Sequence, residues 1–281
     1  MNTIPSTFAF VCLALSLPVQ AANLEISGVQ TQIAGTSTDV TGSGGSANFA
    51  SGTVVGDFAV FDISSVDDST GQTTSFGHLR VTYSADNGGV GSDIMIARTT
   101  DSQDLTDSGT LSVLMNIGGD NRTADLTFDW FTVGSFSGGV EQTGSSLINT
   151  PINYTSFDID FQQLNAFERD DVAQYTLDGN TQLTATDDGT DIFFEDSGAD
   201  SSFGDPTTAY QVLTRDQAAS HRITMGKQSS NGNALFMFEF RDPSDVTTFT
   251  DPDTTVVPEP TSSLLFLSAL TGFLLRRSRR R

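Results

Sequence analysis

The stretch DLTFDWF at residues 125–131 decides the fold class, because apolar and polar side chains alternate along it. Leu126, Phe128 and Trp130 would lie on one face of an extended chain, since successive side chains of a β-strand point to opposite faces. The same alternation recurs at residues 157–161 and 236–240, which read FDIDF and FMFEF. The pattern predicts antiparallel strands with one face in a core and the other in water.

Alternating or apolar segments of this kind, separated by turn residues, predict an all-β chain. Strands are predicted at residues 24–29, 53–64, 77–84, 93–98, 110–117, 124–133, 152–161, 172–177, 191–194, 209–214, 221–227 and 234–241. One short helix is predicted over residues 164–174. The number and spacing of the strands favour an antiparallel β-sandwich over residues 22–246, of which a jelly roll is one form.

Glycine-containing turns connect several of these segments. Turn chemistry is present at Asn87-Gly88-Gly89, Asp178-Gly179-Asn180 and Asp188-Gly189. The sequence Asn231-Gly232-Asn233 predicts a tight hairpin before the last aromatic strand.

The chain is strongly acidic. Its 281 residues include 35 acidic and 13 basic side chains, for a net charge of −22. Five of these bases and one of these acids fall in residues 258–281, which leaves residues 22–257 with 34 acids against eight bases, a net charge of −26. A field of this sign repels nucleic acid and anionic lipid, so no nucleic-acid partner is expected.

The N-terminus has the features of a cleaved export signal. Residues 8–17 form an apolar run too short to span a bilayer, and Pro18 ends it. Small residues precede a predicted cut after Ala21, so residues 1–21 are predicted to be a signal helix that the Sec machinery and signal peptidase read. The alternative is a buried N-terminal strand. The single cysteine, Cys12, lies in this segment, so the mature protein would have no disulfide.

The C-terminus has three parts, which follow a polar linker predicted at residues 247–257. Pro258-Glu259-Pro260 is stiff and extended, because each proline fixes its own φ. Residues 261–275 would form an apolar transmembrane helix about 22 Å long, short of a hydrocarbon core of roughly 30 Å. The chain then ends in the basic residues Arg276, Arg277, Arg279, Arg280 and Arg281. Since positive residues stay in the cytoplasm, the acidic body is predicted to lie outside. The alternative, a core helix, does not account for the arginines.

Together the Pro-Glu-Pro motif, the short apolar helix and the arginine cluster resemble the PEP-CTERM sorting domain of Gram-negative bacteria. The resemblance covers residues 258–281. It implies recognition of the tail by an exosortase, a membrane cysteine transpeptidase-like enzyme, and processing near the motif. It also implies transfer of the body to the cell envelope, surface or extracellular matrix. The class is associated with bacteria that make exopolysaccharide, which is therefore an implied partner.

Enzyme motifs are absent from the sequence. It lacks the G-x-S-x-G elbow, the H-E-x-x-H zinc motif, the P-loop and the dinucleotide fingerprint. Its two histidines, His78 and His221, fall within predicted strands. His221 follows Ser220, but adjacent residues of a strand face opposite sides, so the pair is not expected to form a catalytic dyad.

Two carboxylate pairs could serve a glycosidase, which needs two acids a few ångströms apart. Asp125 and Asp129 are predicted on one face of a strand, and Asp158 and Asp160 on one face of another. With so many acids in the body, a solvated sheet face is the favoured interpretation of both pairs.

Calcium is the only cofactor that the sequence suggests. In the loop at residues 187–191, Asp187, Asp188 and Asp191 place carboxylates close to backbone carbonyls, and hard cations prefer oxygen ligands. Solvated turn residues are the alternative, because the loop does not follow the twelve-residue calcium-binding pattern.

These features predict an exported, non-enzymatic protein with a structural or adhesive role, associated with exopolysaccharide. The alternative is a secreted carbohydrate-active enzyme or carbohydrate-binding module. Sugar-binding sites usually expose aromatic side chains, and Trp130, the only tryptophan, is predicted to lie in the core.

Overall fold

The structure, a computed structural model, describes residues 23–33, 53–67, 69–88, 94–99, 110–117, 122–160, 162–196, 205–215, 218–228, 232–241 and 249–259. The strands in these ranges are β1 Leu24–Thr31, β2 Phe58–Asp67, β3 Gln72–Asn87, β4 Ile94–Thr99, β5 Thr110–Ile117, β6 Arg122–Thr132, β7 Phe136–Ser137, β8 Val140–Glu141, β9 Asn153–Phe157, β10 Gln163–Glu168, β11 Val172–Leu177, β12 Leu183–Asp187, β13 Asp191–Asp196, β14 Tyr210–Thr214, β15 Ser220–Lys227, β16 Gly232–Glu239 and β17 Asp253–Val256. Two 3₁₀ turns, Arg169–Asp171 and Pro206–Thr208, are the only helical elements in the same ranges.

The strands form two antiparallel sheets. The eight-stranded sheet has the order β1-β2-β3-β6-β15-β10-β13-β12, and the seven-stranded sheet has the order β17-β11-β14-β9-β16-β5-β4. Strands β7 and β8 form a separate hairpin. The predicted all-β, antiparallel sandwich is therefore confirmed for the described part of the chain.

The main core lies between the two sheets and is rich in aromatic side chains. Each of four ring pairs joins one sheet to the other. They are Phe128–Phe238 at 5.8 Å between centroids, Trp130–Phe240 at 5.0 Å, Phe167–Tyr154 at 5.6 Å and Phe194–Tyr210 at 4.0 Å. The first three pairs meet edge to face and the last is stacked, both of which are favoured geometries for aromatic rings. The sheets are thus held together by one continuous buried layer.

Main-chain hydrogen bonds join the two sheets along one side of the sandwich. Ile33, just beyond β1, donates to the carbonyl of Ile96 in β4 at 3.0 Å and accepts from its N–H at 2.8 Å. The N–H of Leu24 donates to the carbonyl of Phe240 at 2.9 Å. At the other border of the seven-stranded sheet, β17 is an edge strand that pairs with β11 alone.

Each of the twelve predicted strand segments overlaps a strand, and two of them, Thr110–Ile117 and Val172–Leu177, have the predicted bounds. Strands β7, β8, β10, β12 and β17 were not predicted. The first two are only two residues long, and β17 has no buried side chain to create an alternating pattern.

The predicted helix at residues 164–174 is wrong. This segment contains β10, the 3₁₀ turn Arg169–Asp171 and the start of β11. In β10 both faces are buried, and the polar Asn165 faces the core, where its Nδ2 donates to the hydroxyl of Tyr210 at 2.8 Å. A central strand that buries polar residues lacks the apolar alternation by which the other strands were recognised.

Two further local predictions are wrong. The predicted hairpin at Asn231-Gly232-Asn233 is contradicted because the strands on either side of it, β15 and β16, belong to different sheets. Asp158 and Asp160 do not share a strand face, because β9 ends at Phe157 and Asp158 adopts a left-handed conformation with φ 64°. Asp160 is buried in the connection that follows.

The two predicted terminal segments, at residues 1–21 and 261–275, lie outside the described residues, as do Pro260 and the terminal arginines. Among the residues that are described, no helix has the length and apolar character needed to cross a membrane. The predicted linker at residues 247–257 contains β17, so part of it belongs to the seven-stranded sheet.

Candidate functional site

The outer face of the eight-stranded sheet carries the first predicted carboxylate pair. Leu126, Phe128 and Trp130 of β6 point into the core, so Asp125 and Asp129 point outward. Asp129 accepts from Nη2 of Arg80 at 2.7 Å and from the hydroxyl of Ser220 at 2.6 Å. A carboxylate with both oxygens engaged in this way is suited to joining neighbouring strands.

A second ion-pair cluster on this face surrounds Arg222 of β15. Its Nε donates to Glu168 at 2.7 Å and its Nη2 donates to Asp191 at 2.7 Å. Asp125 lies 3.8 Å from Nη1 and also accepts from the hydroxyl of Thr224 at 2.7 Å. The carboxylates of this face are therefore shared among arginines and hydroxyls, and the cluster spans strands β6, β15, β10 and β13.

One acid beside this cluster has a perturbed pKa. Burial raises the pKa of Asp171 to about 6, and the nearby carboxylates of Glu168 and Asp170 act in the same direction. Asp171 lies in the 3₁₀ turn between β10 and β11, where the chain passes from one sheet to the other. Although raised pKa values are common at catalytic sites, structural clusters produce them as well.

His78 holds the β7–β8 hairpin against the sheet. Its Nδ1 lies 3.0 Å from Oδ1 of Asp62, and its Nε2 accepts from the N–H of Gly134 at 3.1 Å. Because Nε2 is an acceptor, Nδ1 carries the proton in the neutral ring and donates it to Asp62. In a catalytic triad Nε2 would face the nucleophile. Here a backbone N–H occupies that position, so the pair of Asp62 and His78 acts as a structural clamp.

His221 lies in the core and faces away from Ser220, as predicted. The indole Nε1 of Trp130 donates to the hydroxyl of Tyr154 at 2.8 Å, and that hydroxyl lies 2.9 Å from Nδ1 of His221. Since the tyrosine oxygen already accepts from Trp130, its own proton is available to Nδ1, which requires a neutral imidazole. Burial lowers the pKa of His221 to about 4, although the carbonyl of Ala218 and the carboxylate of Asp129 oppose this shift.

Trp130 is fully buried, as the sequence predicts. Tyr83, Tyr154 and Tyr210 are buried with it, and Tyr175 is half-buried against the core. The tryptophan and tyrosine side chains that commonly stack on sugars are thus used to join the sheets.

The predicted calcium loop at residues 187–191 is the β12–β13 turn. Asp187 accepts from Nε of Arg169 at 3.0 Å and from the N–H of Gly189 at 2.8 Å. Asp188 accepts from the N–H groups of Asp191 and Thr190 at 2.9 and 2.8 Å, and these bonds lower its pKa. Among the described residues no group of three or more His, Cys, Asp or Glu side chains is placed to hold a metal ion. Calcium binding at this loop remains a prediction.

Residues 257–259 follow β17 and are the last residues that the structure describes. Val257 is 3% exposed and its N–H donates to the carbonyl of Ala173 at 3.0 Å. Pro258 and Glu259 are exposed. The carboxylate of Glu259 accepts from Nη1 of Arg215 at 3.2 Å. Sequence patterns did not single out Arg215, because its partners lie more than 40 residues away along the chain.

No family model and no curated protein matches the chain. Among solved structures, it is similar to the N-terminal domain of the Streptococcus gordonii adhesin Sgo0707, with a TM-score of 0.33 and 8% identity over 79% of this chain and 65% of that one. The adhesin domain of PrgB from Enterococcus faecalis bound to DNA gives a TM-score of 0.35 and 11% identity over 79% of this chain and 92% of that one. A structure of carbohydrate-binding modules from the β-sandwich superfamily gives a TM-score of 0.23 and 12% identity over 66% of this chain and 74% of that one. At these TM-scores the likenesses carry no argument about function.

Proposed function

We propose that this chain is an exported, non-enzymatic protein of the cell surface or extracellular matrix, with a PEP-CTERM tail and a structural or adhesive β-sandwich. An N-terminal signal takes it across the inner membrane, and residues 261–275 anchor it there. An exosortase-type enzyme then processes the tail and passes the body outward, where it associates with exopolysaccharide.

The observation that carries the proposal is the position of the last described core residue relative to the motif. Val257 is the last described residue with its side chain in the core, and Pro258 begins the Pro-Glu-Pro motif directly after it. A sorting signal has to be readable by another protein, and Glu259 of the motif has a side chain that is 68% exposed. The motif therefore begins directly after the last described core residue, as expected of a separable tail.

A non-enzymatic role is supported by the partners of the candidate carboxylates. Asp125 and Asp129 are hydrogen-bonded across the sheet to Thr224, Arg80 and Ser220. The other predicted pair, Asp158 and Asp160, lies in a connection and not on a sheet face. The alternatives of a glycosidase and of a carbohydrate-binding module gain no support from these contacts or from the buried Trp130.

The sorting role is tested by replacing Pro258, Glu259 and Pro260 with alanine and determining the C-terminus of the mature protein by mass spectrometry. We expect the wild type to lose its tail and the variant to keep residues 261–281 and remain in the membrane fraction. Pro252→Ala is the matched control, because it removes a nearby exposed proline and leaves the motif intact. Normal processing of the triple variant would exclude the proposed sorting role.

A further inference from the structure

One arginine ties the start of the motif to the sandwich. Nη2 of Arg215 donates to the carbonyl oxygens of Val257 at 2.9 Å and Pro258 at 3.3 Å, and Nη1 donates to Glu259 at 3.2 Å. The side chain of Arg215 is 11% exposed, and its main-chain N–H donates to the carbonyl of Asp171 at 2.8 Å. A guanidinium that the fold holds in place thus engages the last described core residue and the first two residues of the motif.

The strand that precedes the motif is an edge strand with exposed side chains. All four residues of β17 are exposed, and β17 pairs with β11 alone. Further contacts hold the segment at both ends and in the middle. They are the buried side chain of Val257 and its N–H bond to Ala173, the hydroxyls of Thr254 and Thr176 at 3.0 Å, and two bonds at Thr250. There the N–H of Gly179 donates to the carbonyl of Thr250 at 2.7 Å, and the N–H of Thr250 donates to the carboxylate of Asp178. An edge strand with few buried contacts opens at a lower free energy than the whole domain. Arg215 adds three hydrogen bonds at the C-terminal end of this segment, to Val257, Pro258 and Glu259.

The docked segment leaves little chain between the body and the predicted membrane helix. Val257 is in the core, and that helix starts at residue 261, so the two are separated by at most about 14 Å of extended chain. An acidic sandwich this close to the bilayer would obstruct a membrane enzyme that approaches the motif. Release of residues 253–257 would add about 17 Å of extended chain.

We propose that Arg215, β17 and Val257 form a latch that holds the sorting motif close to the sandwich until it opens, so that opening of the latch limits the rate of tail processing. Arg215 is a positioning residue here, because it acts on the main chain and carboxylate of the tail and takes no part in cleavage. The latch rests on the proposed sorting function for its consequence, but its opening is measurable without the sorting enzyme.

Opening is measured by hydrogen exchange with mass spectrometry on the exported, full-length protein before its tail is processed. We expect Arg215→Gln to speed exchange of the amides at residues 253–257 about tenfold, since it removes a charge-assisted contact to the tail. Glu259→Gln, at an exposed position, should give a smaller increase because the contacts of Arg215 with the two carbonyls remain. Arg80→Gln, on the other sheet, is the matched control and should leave this segment unchanged.

Unchanged amides in β14 show that the Arg215→Gln fold is intact. If residues 253–257 then exchange at the wild-type rate in both Arg215→Gln and Glu259→Gln, the latch is excluded. In cells, we expect pulse-chase labelling to show faster tail removal in Arg215→Gln than in the wild type, and an equal or slower rate would overturn the proposal.

The two proposals fail in different ways. Failure of the latch alone would appear as wild-type exchange in Arg215→Gln while the alanine-substituted motif still blocks processing. Failure of the sorting role alone would appear as normal processing of the alanine-substituted motif while Arg215→Gln still exchanges faster at residues 253–257.

Discussion

Histidines illustrate how individual side chains acquire their roles in this protein. His78 and His221 both occupy strands, yet one clamps a surface hairpin and the other belongs to a buried chain of hydrogen bonds with Trp130 and Tyr154. Strand alternation alone predicts that His221 and Ser220 face opposite sides. It does not reveal Tyr154 as a partner, because that residue comes from the opposite sheet and lies 67 positions away.

The buried imidazole makes stability depend on pH. In the unfolded chain His221 binds a proton with a pKa near 6.5, whereas in the folded protein burial lowers that pKa to about 4. Unfolding takes up a proton between these values, so this group makes the free energy of unfolding fall as the pH decreases from about 6.5 to about 4, by about 3 kcal/mol in total.

Urea denaturation at pH 7 and pH 4.5 measures this effect. His221→Gln does not titrate, so the free energy of unfolding of this variant should fall by about 2–3 kcal/mol less than that of the wild type between pH 7 and pH 4.5. Val133→Ala, at an exposed position that does not titrate, is the control and should retain the wild-type dependence. If the free energy of unfolding falls equally in the wild type and in His221→Gln, His221 does not cause the pH dependence.

At the scale of elements, the connections and edge strands were predicted correctly from the sequence less often than the other strands. β10 was predicted as part of a helix because its pattern is interrupted by the polar Asn165, which faces the core and reaches Tyr210 and Ser156 of the opposite sheet. The hairpin predicted before β16 failed for a related reason. A turn sequence specifies that the chain reverses, but it does not specify which sheet the next strand joins.

The β12–β13 turn carries the prediction of calcium binding. A calcium ion would have to replace Arg169 at Asp187 and Arg222 at Asp191, since these arginines now engage those carboxylates. If the prediction is right, calcium raises the melting temperature relative to a chelator, and simultaneous replacement of Asp187, Asp188 and Asp191 by asparagine abolishes the difference. Asp253→Asn, an exposed acid elsewhere, is the control. Equal melting temperatures of the wild type in calcium and in chelator would exclude calcium binding at this turn.

For the whole molecule, a single aromatic layer predicts that both sheets unfold together. Phe194 and Tyr210 stack across the two sheets, and both are fully buried. We expect Phe194→Ala to lower the free energy of unfolding by about 3–5 kcal/mol. Val133→Ala, at a position that is 58% exposed, should change it by less than about 0.5 kcal/mol.

The cooperativity of this transition is measured by following urea unfolding with Trp130 fluorescence and with far-ultraviolet circular dichroism. Coincident curves from the two probes are expected of one core. Two separate transitions would show that the sheets behave as independent units.

Local alternation was sufficient to identify an antiparallel all-β chain and most of its strands, because the period of two in segments such as residues 125–131 is a property of neighbouring residues. The outward direction of Asp125 and Asp129 and the burial of Trp130 follow from the same period. The features of both chain ends that led to the sorting proposal are also local in sequence.

Pairing between distant residues was decided only by the tertiary structure. The order of strands, the Trp130–Tyr154–His221 network, the arginines that occupy the candidate carboxylates and the contact of Arg215 with the motif all join segments that are far apart along the chain. The physical reason is that such contacts depend on which sheet each strand enters and on its register there. Neither property is expressed in the residues of one segment, because both result from the packing of all strands around a common core.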